Sequence, residues 1–221
     1  MNYSNKPILI TGIERSGSTI VAKIIESCGV FTGCTTRMHE NHSIKTLVSR
    51  LYGDNNLDPR GQFPIPEQPY INLYTHNWKS TIKKILDREG YKGDNLWLYK
   101  SSRIGQTWPV WNNLYPEAKW IVVRRRTGDI VQSCIKTGFM SAFKDKSNLQ
   151  KINAVNEADG WLWWVHEQEN RFVEMVDAGL NCKVIWPERM RDGDFEQMYE
   201  ILNWLGLEWP ENFEEQVKKL F

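Results

Sequence analysis

At 221 residues the chain has room for one domain with some elaboration and is a tight fit for two independent cores. Its 28 Lys and Arg against 27 Asp and Glu leave a formal charge of +1, which removes the overall electrostatic case for a nucleic-acid binder or a polybasic membrane adaptor. Hydrophobic residues at 41% and charged residues at 25% describe a globular chain, and no apolar run approaches the roughly 18 residues of a membrane span.

Met1 to Lys6 is polar and passes straight into the short apolar run 7–10, without the pattern of a signal peptide. Cys28, Cys34, Cys134 and Cys182 form no CxxC pair and sit mostly in or beside apolar segments. The expectation is a cytoplasmic protein with structural cysteines and no bound metal. Residues 6–12 read as a buried strand ending in glycine, followed by a polar turn and by 18–27, where Ile20, Ile24 and Ile25 recur at helical spacing ahead of Gly29. Further short, β-rich strands are expected at 96–100, 119–124 and 182–186. Helices are expected at about 107–115, 128–138 and 153–178, and two more close the chain, split near Trp209 and Pro210. Strands alternating with helices predict an α/β fold, a central parallel sheet flanked by helices in three layers, as one domain over 1–221.

Residues 52–77 collect four prolines, Gly53 and Gly61 without a clean period, and are expected to form a long loop, a lid or a substrate-binding element. Trp161, Trp163 and Trp164 fall in one expected helix and serve either an aromatic core or a stacking surface for a planar ligand.

The stretch from Gly12 to Thr19 lies between the first strand and its helix, where backbone N–H groups and a helix N-terminus make an anion site. Its spacing is that of a P-loop, but Ser18 stands where a nucleoside-triphosphate P-loop has Lys, which weakens an ATPase, GTPase or kinase reading. Arg15 brings a fixed fork of donors suited to a tetrahedral oxyanion, with the hydroxyls of Ser16, Ser18 and Thr19 around it.

These residues resemble the first signature of the sulfotransferases that use 3′-phosphoadenosine 5′-phosphosulfate (PAPS), a strand followed by R-S-G-T-T or K-S-G-T-T. Here it stands as Arg15-Ser16-Gly17-Ser18-Thr19. The family's second signature, a strand ending in Arg with a Ser eight residues later, is similar to 120–133, where Asp129 sets a register that picks Arg125 and Ser133. The lead-in 114–120 is similar to the family's F-P-x-A-K-F, and 184–188 and 202–207 match more loosely. The resemblance implies a P-loop NTPase-like sulfotransferase fold. It also implies that Arg15, Ser16, Gly17, Ser18 and Thr19 hold the 5′-phosphosulfate while Arg125 and Ser133 grip the 3′-phosphate.

Sulfuryl transfer needs an in-line acceptor, charge stabilisation on the moving group and a base for the acceptor's proton. Arg15 is the expected stabiliser, and Lys100 lines up with a Lys that the family places near the sulfate. Cytosolic members carry a His two residues after that Lys, where this chain has Ser102. Heparan-type and tyrosylprotein members use a Glu some twenty-odd residues after the loop. Glu40 is therefore the expected base, with His39 next and His42 and His76 behind. The cytosolic R-K-G-x-x-G segment near the C-terminus has no counterpart here. The expected reaction moves the sulfuryl group of PAPS to a hydroxyl, or less readily an amine, of a small-molecule, carbohydrate, lipid or peptide acceptor, leaving adenosine 3′,5′-bisphosphate. A small-metabolite kinase and a non-catalytic nucleotide binder of the same fold are the rival readings.

Overall fold

The computed structural model describes residues 6–55, 57–58, 60–63 and 77–221. Four strands, β1 (Ile8–Gly12), β2 (Leu98–Lys100), β3 (Lys119–Val123) and β4 (Cys182–Ile185), pair in the order β2-β1-β3-β4. Every pairing is parallel. All four lie within the spans that the apolar runs mark.

The alternation of side chains across the pleat divides the core in two. Leu9, Tyr99, Trp120 and Val122 face one apolar cluster, and Ile8, Ile10, Leu98, Ile121, Val123 and Ile185 face the other. The second cluster is covered by α1 (Ser18–Ser27), α9 (Pro187–Arg191), α10 (Glu196–Leu205) and α11 (Phe213–Lys218), through residues such as Ile25, Met190, Leu202 and Phe213. The first is covered by α2 (His42–Asp54), α3 (Trp78–Arg88), α4 (Ser102–Gln106), α5 (Trp108–Leu114), α6 (Thr127–Lys136) and α8 (Glu157–Asp177). Burial on both faces is why β1, β2 and β3 read as apolar runs rather than as alternating ones, while β4 at the sheet edge leaves Val184 exposed.

Several elements depart from the sequence expectation. The stretch 153–178 begins later as a helix, because the Asn156 side chain accepts from Asp159 N at 3.0 Å and caps α8 there, after the short α7 (Lys146–Lys151). The helices α2 and α3 were not anticipated. Asn41 starts α2 by accepting from Ile44 N at 3.0 Å, and Ile44, Val48, Leu51 and Tyr52 then form its buried face. Tyr52 to Asp54 thus close a helix instead of opening a loop.

Part of the expected loop is built into the core. Asp58 accepts from the backbone of Arg60, Gln62 and Phe63. The Gly61 carbonyl receives Gln106 Nε2 at 3.0 Å and Trp164 Nε1 at 3.3 Å. The remainder of the lid expectation, with His76, falls on residues 64–76, outside the described residues. Trp161 and Trp164 are fully buried and meet edge to face at 5.5 Å, so of the two expectations for them the aromatic core holds.

Gly160 is where α8 and the turn Ala142–Lys144 come closest, since a Cβ there would lie 2.5 Å from the Phe143 ring. Helix propensity alone would reward Gly160→Ala by up to about 1 kcal/mol. Overpacking against an aromatic ring costs about 1–3 kcal/mol and should win. Urea unfolding of Gly160→Ala is expected to show a lower midpoint; a raised midpoint would mean that Phe143 yields easily.

Candidate active site

Gly12 ends β1 in register with Val123, and a Cβ on it would sit 2.5 Å from the Val123 carbonyl oxygen and 2.8 Å from Ser16 Oγ. Only glycine permits that approach. The chain then folds back, with Ser16 N donating to the Ile13 carbonyl at 3.0 Å. Arg15 at φ 73° and Gly17 at φ 94° both adopt the left-handed region. Gly17 is the N-cap of α1, and no side chain caps that helix end. An uncapped N-terminus carrying partial positive charge is thereby turned toward the loop. Ser16 Oγ is buried there without a hydrogen-bond partner.

The two signatures meet in space. Arg125, just beyond β3, donates from Nη1 to the Arg15 carbonyl at 3.0 Å, and Arg15 donates from Nε to Ser133 Oγ on α6 at 2.9 Å. Arg15, expected at the phosphosulfate, and Ser133, expected at the 3′-phosphate, are thus directly bonded. The terminal nitrogens of Arg15 have no recorded partner among the described residues, which leaves their donors for an anion. The three consecutive arginines divide their work. Arg124 pairs with Glu169 at 2.6 Å and lies 5.0 Å above the Trp186 ring, while Arg126 is 71% exposed and reaches Glu188 at 3.4 Å. Arg125 alone turns to the loop, with Glu188 at 3.9 Å.

Lys100 ends β2 and is 6% exposed. Its Nζ donates to the Met38 carbonyl at 2.8 Å and to Thr19 Oγ1 at 3.4 Å, placing the ammonium beside the first turn of α1. Burial lowers its pKa, and the carboxylates of Glu40 and Glu14 only partly offset this. Glu40 is brought in by a tight turn in which Thr36 N donates to the Glu40 carbonyl at 2.8 Å. Burial opposes its ionisation, yet Lys100, Lys45 at 2.8 Å and the Ser101 hydroxyl together hold the carboxyl below its ordinary range. His39, at φ 59°, places Nε2 3.2 Å from Glu26 Oε2 on α1, and burial keeps it toward the neutral form. His42 is exposed at the start of α2, and His76 lies outside the described residues.

Sequence reasoning passed over Glu14. It treats that residue as a spacer in the loop, although a carboxylate in a turn expected to bind an anion is itself a signal. Glu14 Oε1 accepts from Ser102 Oγ at 3.3 Å, and Oε2 is buried with no partner. Burial pushes its pKa up to about 7, against the Ser102 hydrogen bond and the charges of Arg103 and Lys100, and with Glu40 adding repulsion.

Among the described residues no group of three or more His, Cys, Asp or Glu side chains could hold a metal ion, and no helix is long and apolar enough to cross a membrane. An open hollow of about 430 Å³ lined by Leu162, Trp163 and His166 shares no residue with the loop.

A loop leading into a helix N-terminus at the carboxyl edge of a parallel sheet is where open α/β proteins bind their ligands. Within that class the model of the sulfotransferase family matches residues 7–211, and the chain belongs to that family. The fold is similar to that of a sulfotransferase from Mycobacterium tuberculosis, with a TM-score of 0.57 and 12% identity over 97% of this chain and 70% of that one. It is also similar to a sulfotransferase from Mycobacterium avium, with a TM-score of 0.63 and 11% identity over 97% of this chain and 67% of that one. The sulfotransferase domain of a Synechococcus olefin synthase matches with a TM-score of 0.54 and 18% identity over 94% of this chain and 75% of that one. Identities this low speak for the fold alone. No curated protein matches the chain in sequence.

The raised carboxyl of Glu14 has a consequence for stability. A group whose pKa rises from 4.5 unfolded to about 7 folded contributes stability that is fully present below pH 4.5 and lost as pH climbs through about 7. Replacing it by Gln removes the charge that folding buries. Thermal melts should therefore show Glu14→Gln above wild type at pH 8, by about 1–3 kcal/mol, with the gap shrinking at pH 5. A gap independent of pH would show that Glu14 does not titrate in this range.

Proposed function

We propose that the protein transfers the sulfuryl group of PAPS to an acceptor hydroxyl and releases adenosine 3′,5′-bisphosphate. The observation that carries this reading is the hydrogen bond from Arg125 to the Arg15 carbonyl, which joins the two motifs that resemble donor-binding signatures. The residues present fit such a donor. Ser16 Oγ is buried without a partner, Gly12 keeps the turn free of a side chain, and the α1 N-terminus has no internal cap.

In this reading Arg15, Ser16, Gly17, Ser18 and Thr19 hold the 5′-phosphosulfate, and Arg125 with Ser133 holds the 3′-phosphate. PAPS, when bound, supplies an activated sulfuryl group. The protein's part is orientation and charge. Arg15 offers its free terminal donors, and the Lys100 ammonium, now on Met38 O and Thr19 Oγ1, is close enough to Thr19 to share an anion bound at the loop. Glu40 acts by keeping Lys100 protonated against the effect of burial. Lys45 lies upon its carboxylate, and its pKa is lowered. The four free cysteines, Cys34 exposed among them, support a reducing cytoplasmic setting.

Calorimetric titration tests the donor. Adenosine 3′,5′-bisphosphate should bind without added metal, and adenosine 5′-monophosphate at least about tenfold more weakly, since a charge-assisted contact contributes about 1.5–3 kcal/mol. Arg125→Ala should weaken the bisphosphate by about 10- to 100-fold and leave the monophosphate nearly unchanged. A preference for ATP with Mg²⁺ would sink this reading in favour of a kinase. Binding without turnover of PAPS would point to a nucleotide-binding protein.

A further inference from the structure

Glu14 is in the wrong place for a structural residue. It stands one position before Arg15 in a turn built to receive anions, where a carboxylate repels a phosphate or a sulfate. A small apolar side chain would serve the turn without that repulsion or the cost of burying a carboxyl.

The surroundings fix this side chain and leave one oxygen free. Ser101 N donates to the Ile10 carbonyl at 3.0 Å, and Thr11 Oγ1 meets the Ser102 carbonyl at 3.4 Å, so the end of β1 and the start of α4 are tied together. Across that joint Ser102 Oγ holds Glu14 Oε1 at 3.3 Å. Among the described residues Glu14 Oε2 remains buried without a partner, and so does Ser16 Oγ in the same turn. A buried carboxyl oxygen and a buried hydroxyl left unpartnered in one turn suit a group that both donates and accepts, which is what a hydroxyl does. Glu40 is held differently, with Lys45 on its Oε2 at 2.8 Å.

We propose that Glu14 is the catalytic base of this sulfotransferase, its free Oε2 taking the proton of the acceptor hydroxyl while Ser102 fixes the carboxyl through Oε1. This rests on the sulfotransfer reading given above. As the acceptor's O–H bond breaks, the proton passes to Glu14 Oε2 and the acceptor oxygen bonds to the sulfuryl sulfur. The bond from sulfur to the bridging oxygen breaks, and its electron pair leaves with adenosine 3′,5′-bisphosphate. Glu14 afterwards gives the proton to solvent, which restores the carboxylate. The groups that face Glu14 are Lys100 from β2, Arg103 from α4, Glu40 from the turn before α2, Tyr52 from α2 and Cys134 from α6, with Arg15 adjacent in the chain. Burial, with Glu40 adding to it and Lys100, Arg103 and the Ser102 hydrogen bond opposing it, pushes the carboxyl up to about 7, where a base is half available at neutral pH.

The test uses the whole chain with PAPS and water as the acceptor, product release being read by chromatography, beside calorimetry with adenosine 3′,5′-bisphosphate. Glu14→Gln is expected to cleave PAPS at least about 100-fold more slowly, the usual scale for losing a general base. It should bind the bisphosphate as tightly as wild type or more so, because a charge beside the anion has gone. The wild-type rate should rise with pH through about 7, and this limb should vanish in Glu14→Gln. Ser102→Ala removes the bond that lowers the carboxyl's pKa and should move the limb to higher pH, an effect that loss of packing does not produce. In the free protein, the ¹³C carboxyl signal missing from Glu14→Gln should show the same titration. Turnover of Glu14→Gln within about threefold of wild type, a persisting limb, or a Glu14 carboxyl titrating near 4.5 would each overturn the assignment. If Glu14→Gln fails to fold, the limb of Ser102→Ala decides. Failure of the unmodified protein to bind the bisphosphate or to cleave PAPS would instead overturn the sulfotransfer reading, and the base with it.

Discussion

The missing side chain of Gly12 is the constraint on which the rest of the site depends. With β1 and β3 paired in register to their ends, the Gly12 Cα faces the Val123 carbonyl so closely that a methyl group would lie 2.5 Å from the oxygen. Either the strands would part or the turn after β1 would open. Because neither happens, residues 13–17 turn back tightly and Arg125, two positions beyond Val123, meets the Arg15 carbonyl. One close approach between neighbouring strands thus sets the distance between two motifs more than a hundred residues apart in the chain.

Charge balance is the second organising feature. Lys100, Glu14 and Glu40 are withdrawn from water at the end of β2, and burial acts on all three toward neutrality. They differ in their partners. Glu40 has Lys45 and remains ionised, Lys100 has a carbonyl and a hydroxyl, and Glu14 has a single serine hydroxyl. Two carboxyls in one small region therefore reach different proton affinities, the condition under which neighbouring acids divide their tasks. A carboxyl buried with one oxygen unpartnered destabilises the fold, and such costs persist where chemistry uses them.

The strands were legible because each is a short apolar, β-rich run, and β1, β2 and β3 are covered on both faces, a pattern that survives without knowledge of its neighbours. The loop after β1 was legible because glycine spacing and hydroxyl residues follow from backbone geometry. The helix α2 was not, since it is polar on average and its four buried residues face a layer that exists only once α3 and α8 are in place. The tryptophans of α8 could have served a core or a ligand on sequence grounds, and two separate turns, one carrying Phe143 and one carrying Gly61, close over them.

By itself the sequence determined the α/β class, the strand–loop–helix unit at residues 8–27 and the pair of arginine-bearing motifs, because local periodicity and turn chemistry are written in neighbouring residues. Which of Arg124, Arg125 and Arg126 turns to the loop is settled in space, where Glu169 holds Arg124, Glu188 lies between Arg125 and Arg126, and Arg125 alone reaches the Arg15 carbonyl. The proton affinities of Glu14 and Glu40 were decided only by the tertiary structure. Burial and partners drawn from α2 and α4 set them, and the free energy of a charge depends on what surrounds it rather than on where it stands in the chain.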